Sequence, residues 1–216
     1  MNSEILEVVT RVVKEVLEEN RTINESKIKV PVGISGRHIH LSRKDLDILF
    51  GNGYELTKKK DLMGGQFAAE ECVTIIGSKL TSIEKVRILG PIRKDTQIEL
   101  SKTDSIKLGI KIPLRESGNI DGSGAITIVG PAGALFLNEG CIIAKRHIHM
   151  SPSDAIRYGI KNNDLVKVKA SGERGGILEA VKVRIDSAYT LEMHIDTDES
   201  NAMDIKCGDL LEIIKY

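Results

Sequence analysis

Four of the chain's five histidines stand in His-x-His triplets, Arg37-His38-Ile39-His40 and Arg146-His147-Ile148-His149, and the fifth, His194, stands alone. In an extended segment residues two apart project to one face, so each pair can direct two imidazoles at one cation. Zinc accepts imidazole nitrogen readily and, in catalytic sites, takes three protein ligands and leaves a position open. Each pair is therefore short of one ligand. His194, within Leu191-Glu192-Met193-His194-Ile195, is the remaining histidine and can complete one pair, while a carboxylate must complete the other. A lone histidine is more often a hydrogen-bonded core or surface residue than a ligand, but two matching triplets point to metal.

The triplets are embedded in longer matching strings, Gly36-Arg37-His38-Ile39-His40-Leu41-Ser42 and Lys145-Arg146-His147-Ile148-His149-Met150-Ser151. His147 follows His38 by 109 residues in a chain of 216, so the sequence reads as a diverged duplication. Arg37 and Arg146 point away from the histidine face; a structural bridge, for example to a carboxylate of the other half, and a functional role are both open. Further along, Leu89-Gly90-Pro91-Ile92-Arg93 presents Arg93 from a Gly-Pro turn, and Glu99 follows on a short strand. An arginine fork near divalent metal suits an anionic substrate such as phosphate, although an ordinary surface arginine fits the same residues.

Other catalytic patterns are weak or missing. The glycine-rich stretches 118–124 and 172–176 lack the P-loop lysine and the strand-to-helix context of a dinucleotide site. Neither a G-x-S-x-G elbow nor an H-E-x-x-H helix occurs. The chemistry must rest on metal.

The elements that position these residues are mostly short strands. Alternating or apolar runs, Ile28–Ile34, Cys72–Ile76, Val86–Leu89, Gln97–Leu100, Ala125–Val129, Ile142–Ile148, Leu165–Ala170, Leu178–Val183, Leu191–Ile195 and Leu210–Ile214, are separated by Gly, Pro, Asn and Asp. Such spacing predicts small sheets closed into barrels or sandwiches. Ser42 with Asp45, and Ser151 with Pro152 and Asp154, are N-cap signatures for two short helices that Gly51 and Gly159 end. A weaker repeat pairs 159–168 with 204–213, a turn feeding a strand. At the N-terminus, Ile5, Val8, Val9, Val12, Val13 and Val16 recur at helical spacing, predicting an amphipathic helix over Ser3–Glu19 followed by a polar linker, Asn20–Lys29.

Composition narrows the class. The 31 basic and 31 acidic side chains cancel and form no basic run, which argues against nucleic acid or anionic membrane as a partner. Cys72, Cys141 and Cys207 make neither a C-x-x-C pair nor an even-numbered framework, which fits a reducing compartment and buried apolar filler. No segment has the roughly 20 apolar residues of a membrane span, and the N-terminus lacks a signal-peptide pattern, so a soluble, cytoplasmic protein is expected.

With these motifs in hand, the chain resembles the phosphate propanoyltransferases, the PduL-type phosphate acyltransferases, many of which occur in bacterial microcompartments. The likeness runs from about Val30 to the C-terminus and is carried by Val32 to Ser42, Leu89 to Arg93, Ala144 to Ser151 and Leu191 to Ala202. The resemblance implies a mainly β fold with short helices: two small β-barrel domains related by duplication, with the first strand crossing into the second barrel. The expected division is an N-terminal helix at 1–20, a linker at 21–29, a first half at 30–140 and a second at 141–216. It further implies two zinc ions, one held by His38, His40 and Glu99 and the other by His147, His149 and His194, with Arg93 on phosphate. Ser35, Lys60, Arg87, Leu89 and Asn201 correspond to coenzyme A contacts.

The implied reaction moves a short acyl group, propanoyl or acetyl, between coenzyme A and inorganic phosphate. The N-terminal helix has the form of an encapsulation peptide that tethers cargo to microcompartment shell or core proteins, and also of a helix packed at a homo-oligomer contact. Competing with this reaction are a zinc-dependent acyl-CoA thioester hydrolase and a non-catalytic, metal-stabilised binding module.

Overall fold

A computed structural model describes residues 8–15 and 28–215 of the chain. Residues 8–15 are helical (α1) and leave Val8, Val9, Val12 and Val13 exposed. The remainder of the expected Ser3–Glu19 helix, and residues 20–27 of the expected linker, lie outside the described residues.

The body is mostly β. In chain order the strands are β1 (Ile28–Ser35), β2 (His38–His40), β3 (Lys58–Asp61), β4 (Phe67–Ile76), β5 (Ser82–Gly90), β6 (Gln97–Glu99) and β7 (Leu114–Arg115). They continue as β8 (Gly124–Val129), β9 (Ala134–Ala144), β10 (His147–Met150), β11 (Leu165–Ala170), β12 (Gly176–Ile185), β13 (Glu192–Asp196) and β14 (Leu210–Ile214). Four short helices join them: α2 (Arg43–Phe50), α3 (Lys102–Leu108), α4 (Pro152–Tyr158) and α5 (Thr197–Met203).

Strand pairing closes two six-stranded barrels. The first runs β2, β5, β4, β8, β9, β6 and back to β2. The second runs β10, β12, β11, β14, β1, β13 and back to β10. The order of parallel and antiparallel pairs is the same in both, so the duplication seen in the triplets extends to the whole topology. β3 and β7 pair outside these rings, on β4 and β9.

The first barrel is built from the contiguous residues 38–144, and the second from residues 147–214 together with β1 from the start of the body. β1 directly precedes β2, yet it lies between β13 and β14 of the second barrel. β9 directly precedes β10, yet it lies between β6 and β8 of the first. The chain passes from barrel to barrel immediately before each histidine triplet. The Ile142–Ile148 run is consequently parts of two strands rather than the single one expected. At the handover the Lys145 N–H donates to the Arg115 carbonyl (2.8 Å), completing the β7 edge, and the Arg146 side chain leaves that sheet for Glu199 (2.7 Å).

Inward-facing positions alternate with outward ones and fill two apolar cores. Ile39, Ile75, Ile88, Ile98 and Ile128 are fully buried in the first, and Val30, Ile148, Val168, Val183 and Met193 in the second. Burial of a side chain of this size stabilises by roughly 1.5–3 kcal/mol. Because Val30 and Val32 come from β1, the second core depends on residues more than a hundred positions upstream of β10.

The caps form where their spacing places them. The Ser42 and Ser151 hydroxyls accept from the N–H groups of Asp45 (3.2 Å) and Asp154 (3.1 Å), and the helices end at Gly51 and Gly159. Gly159 adopts a left-handed conformation (φ 59°) suited to that position. α3 and α5, capped by Ser101 and Asp196, arise from the same S/D-x-x-D/E spacing, which was not read as helical above. They meet where the Thr103 N–H donates to Asp198 Oδ2 (2.8 Å). In the turn repeat, Asp164 and Asp209 accept from the N–H groups of Lys161 and Lys206 in the same way. Only Cys141 is the buried filler expected of all three cysteines, its thiol pushed up to about 12 by burial; Cys72 is half-buried and Cys207 exposed.

Candidate active site

The first cluster is built across β2 and β6. Their antiparallel register places His38 opposite Glu99 and His40 opposite Gln97. His38, His40 and Glu99 bring one ligand atom each within 4.8 Å of one another, and all three are buried. Backbone carbonyls fix the rings: His38 Nδ1–H donates to Gly36 O (2.9 Å) and His40 Nδ1–H to Leu89 O (3.1 Å), leaving both Nε2 lone pairs for a cation. Desolvation, helped by the charges of His38 and Arg93, pushes His40 down to about 3, so its imidazole is neutral. Burial raises the Glu99 carboxyl, but His38, the Ser117 hydroxyl, His40 and Arg93 outweigh it and hold the group below its ordinary value.

The second cluster repeats this plan on β10 and β13, where His147 faces His194 and His149 faces Glu192. His147, His149 and His194 also offer ligand atoms within 4.8 Å of one another, but His147 and His194 are only half-buried. The His147 Nδ1–H donates to Lys145 O (2.9 Å), matching the His38 contact. Desolvation lowers His147 to about 4 and His149 to about 3. His149 is further enclosed by Tyr189, stacked at 4.1 Å, and by the Met63 sulfur, 3.2 Å from its Nδ1. Converging imidazoles, with Nδ1 held by backbone carbonyls at His38, His40 and His147 and one set completed by a carboxylate, are a donor set suited to two divalent cations.

Arg93 stands beside the first cluster. Its N–H donates to Leu41 O (3.0 Å) just past β2, and its charge acts on both His40 and Glu99. Burial lowers its pKa against the opposing pull of Glu99, and a guanidinium remains charged at any working pH.

The five positions matched to coenzyme A contacts are more dispersed. Arg87 is aligned with His38 and donates to the carbonyls of Ala69 (2.9 Å) and Glu70 (2.7 Å). Leu89 lies two residues on, in a transverse row with Ala68 and the exposed Lys60. Ser35 and Asn201 belong to the second barrel's β1 and to α5.

A family model for phosphate propanoyltransferase matches residues 31–206. A phosphate propanoyltransferase of Lachnoclostridium phytofermentans is 58% identical over 99% of this chain and all of its own length. Relatives of the same name from Priestia megaterium (54%, covering 93% of both chains) and Thermotoga maritima (52%, covering 86% of this chain and 89% of the relative) agree. The chain belongs to the phosphate propanoyltransferase family. Membership makes it an acyltransferase.

Within this propanoyltransferase scaffold, several residues around the clusters escaped the sequence reading. Glu192, aligned with His149, places its carboxylate 3.1 Å from His194 Nε2. Its counterpart in the first barrel is Gln97, which donates to Glu99 (2.7 Å). Each third ligand is thus held by the residue two before it on the same strand. The outward arginines also repeat: Arg37 grips Asp104 through two 2.9 Å bonds, and Arg146 pairs with Glu199. Asp104 lies five residues after Glu99 and Glu199 five after His194, each in the same half as its arginine, not across halves as the bridging alternative had it. That equal spacing was the readable signal.

Proposed function

We propose that the chain catalyses reversible transfer of a short acyl group, propanoyl or acetyl, between coenzyme A and inorganic phosphate, with zinc in each cluster. The observation that carries this reading is the half-buried Arg93 guanidinium, whose charge acts on His40 and Glu99 in the cluster whose third member is a carboxylate, together with a second, more open cluster of three histidines. His38, His40 and Glu99 would hold one zinc and His147, His149 and His194 the other. When bound, zinc supplies Lewis acidity toward the thioester carbonyl and a soft partner for the departing thiolate.

The remaining work falls to the protein's own groups. Arg93 binds phosphate through its fork, orients one oxygen toward the carbonyl carbon and offsets the repulsion between two anionic reactants. The phosphate oxygen adds to the carbonyl carbon, the carbon–sulfur bond breaks, and the acyl phosphate and coenzyme A thiolate leave. Ser35, Lys60, Arg87, Leu89 and Asn201 contact coenzyme A in this reading. Met63 and Tyr189 shield His149 from bulk water.

A second reading, zinc-dependent hydrolysis of acyl-CoA thioesters, draws support from the partly open second cluster, where the His194 side chain keeps 28% of its surface exposed to water. Metal analysis coupled to a thiol-release assay with propanoyl-CoA separates the two. Release that requires phosphate supports the transferase, and release indifferent to phosphate supports the hydrolase. No turnover, with unfolding by chelator, supports a metal-stabilised module. Arg93→Ala is expected to raise the KM for phosphate roughly 10- to 100-fold while metal content stays near wild type.

For the N-terminal segment we propose docking to microcompartment shell or core proteins through the exposed valine stripe of α1. Removal of residues 1–20 should abolish co-localisation with the compartment and leave the oligomeric state intact. A change of oligomeric state with unchanged location would assign the helix to a homo-oligomer contact instead.

A further inference from the structure

The loop between β7 and β8 touches the surroundings of both clusters. On one side Gln97, beside Glu99, holds it twice: Nε2 donates to Ser117 Oγ (2.9 Å), and Oε1 accepts from the Gly118 N–H (2.6 Å). On the other side, Glu116 reaches the second barrel, accepting from Lys182 Nζ through both oxygens (2.8 and 2.9 Å) with Arg184 Nη2 at 3.6 Å. Those two cations are not arbitrary surface residues. β12 runs parallel to β10 with Lys182 aligned to His147 and Arg184 to His149, so both side chains emerge on the face that presents the histidines. The core-facing residues between them, Val183 and Ile148, confirm that orientation.

The first barrel has an equivalent pair of positions. There β5 runs parallel to β2 and places Arg87 beside His38 and Leu89 next in line. Lys182 and Arg184 occupy the equivalent places, so β12 brings two cations to its histidine strand where β5 brings one. The first cluster carries its own carboxylate, Glu99, whereas the second consists of three imidazoles. Glu192 stands against His194, and the two cations of β12 are paired instead by Glu116, a carboxylate on a loop from the other barrel. Arg184 acts electrostatically on both His147 and His149, which puts it in reach of anything bound to them. Beside this loop lies a cleft of about 790 Å³ whose wall adds Arg115 and Lys145.

We propose that Lys182 and Arg184 form a second anion subsite beside the His147, His149 and His194 cluster, and that Glu116 is a resident counter-ion which a phosphate group of the substrate displaces. The carboxylate and the phosphate compete for the same two donors, so the loop opens when substrate binds and closes when it leaves. The Glu116 carboxyl is held below its ordinary range, first by its hydrogen bonds to Lys182, so the stopper is anionic at neutral pH. The subsite deepens the transferase reading and rests on it for the identity of the phosphate carrier, which is inorganic phosphate or the phosphates of coenzyme A.

Calorimetric titration of the metal-loaded full chain with inorganic phosphate tests the subsite without turnover. Glu116→Gln should tighten phosphate binding about fivefold by removing the competitor, and Arg184→Gln should weaken it about tenfold, the worth of one charge-assisted hydrogen bond. Arg184→Lys should recover part of that loss, and combining Arg184→Gln with Glu116→Gln should cancel the gain. Should the inorganic phosphate arm stay flat while the KM of propanoyl-CoA shifts and that of phosphate-free propanoyl-pantetheine does not, the subsite serves the coenzyme's phosphates. Metal content and melting temperature are measured on every variant, and Glu116→Gln with Arg184→Lys decides the matter if Arg184→Gln fails to fold. The proposal is overturned if Glu116→Gln leaves both ligands unaffected, or weakens them, at full metal content. Wild type that binds phosphate but releases no thiol would sink the transferase reading and leave the subsite standing.

Discussion

The two histidine clusters share a scaffold and differ in what surrounds them. In the first barrel both histidines and Glu99 are buried, and backbone carbonyls fix both imidazoles. In the second the cluster opens to solvent, its third member is His194, and its carboxylate, Glu192, has moved two residues along the strand. The exchange of Gln97 and Glu99 for Glu192 and His194 keeps one carboxylate at each cluster while changing whether it is the third ligand or that ligand's neighbour. Duplication thus preserved the geometry and let the charge diverge. One cluster is buried with Arg93 beside it; the other is half-exposed.

The largest expected effect is on metal. Glu99→Ala should empty the first cluster and His194→Ala the second, each leaving the other loaded. Loss of affinity at the altered cluster should exceed the roughly 10- to 100-fold typical of removing a residue that only supports a ligand. Metal counting by mass spectrometry on both variants checks this, and simultaneous loss of both ions from either variant would break the comparison. Graded chelation of wild type should strip the half-exposed second cluster first; the reverse order would show that burial does not set retention here.

Next in size is the core. Ile39 and Ile148 are the central residues of the two triplets and are fully buried. Replacing either by alanine should cost about 2–5 kcal/mol. Because β1, which leads directly into the first barrel, is a strand of the second, the loss should appear in one cooperative unfolding transition. Two separated transitions in Ile148→Ala by calorimetry would mean that the barrels are energetically independent despite this link.

These expectations draw on features with different legibility in the sequence. The histidine pairs, the location of His194 on a strand and the caps at Ser42 and Ser151 follow from local rules of spacing, and all take the form those rules predict. The placement of β1 in the second barrel does not follow from them, since alternation fixes which face of β1 is apolar but not which barrel will cover it. For the same reason Ile142 to Ile148 looks like one strand: Lys145 and Arg146 fit a strand as well as a handover, which backbone pairing alone reveals. Glu99 was unreadable as a ligand from spacing, because a buried carboxylate on a three-residue strand resembles any other; the family resemblance, not periodicity, singled it out. Glu116 and Arg184 become neighbours only when the loop after β7 folds across the boundary between barrels.

The smallest expected effect sharpens the comparison at its edges, in the helices that follow the triplets. Ser42 and Ser151 cap α2 and α4 with the same hydrogen bond, and removing such a cap typically costs about 1 kcal/mol. Their surroundings differ. Ser42 is buried, its N–H donates to Thr96 Oγ1 (2.9 Å), Thr96 in turn donates to Asp45, and the backbone bridge at Ser42 is to Arg93. The Ser151 hydroxyl instead meets Ser153 and Asp154 at the surface. Ser42→Ala should therefore approach the upper end for a lost cap, about 2 kcal/mol, and raise the KM for phosphate by disturbing the backbone that carries Arg93. Ser151→Ala should stay near 1 kcal/mol with unchanged kinetics. Equal losses in denaturant midpoints, with phosphate KM unmoved in both, would mean that the first cluster gains no support from its helix beyond the cap itself.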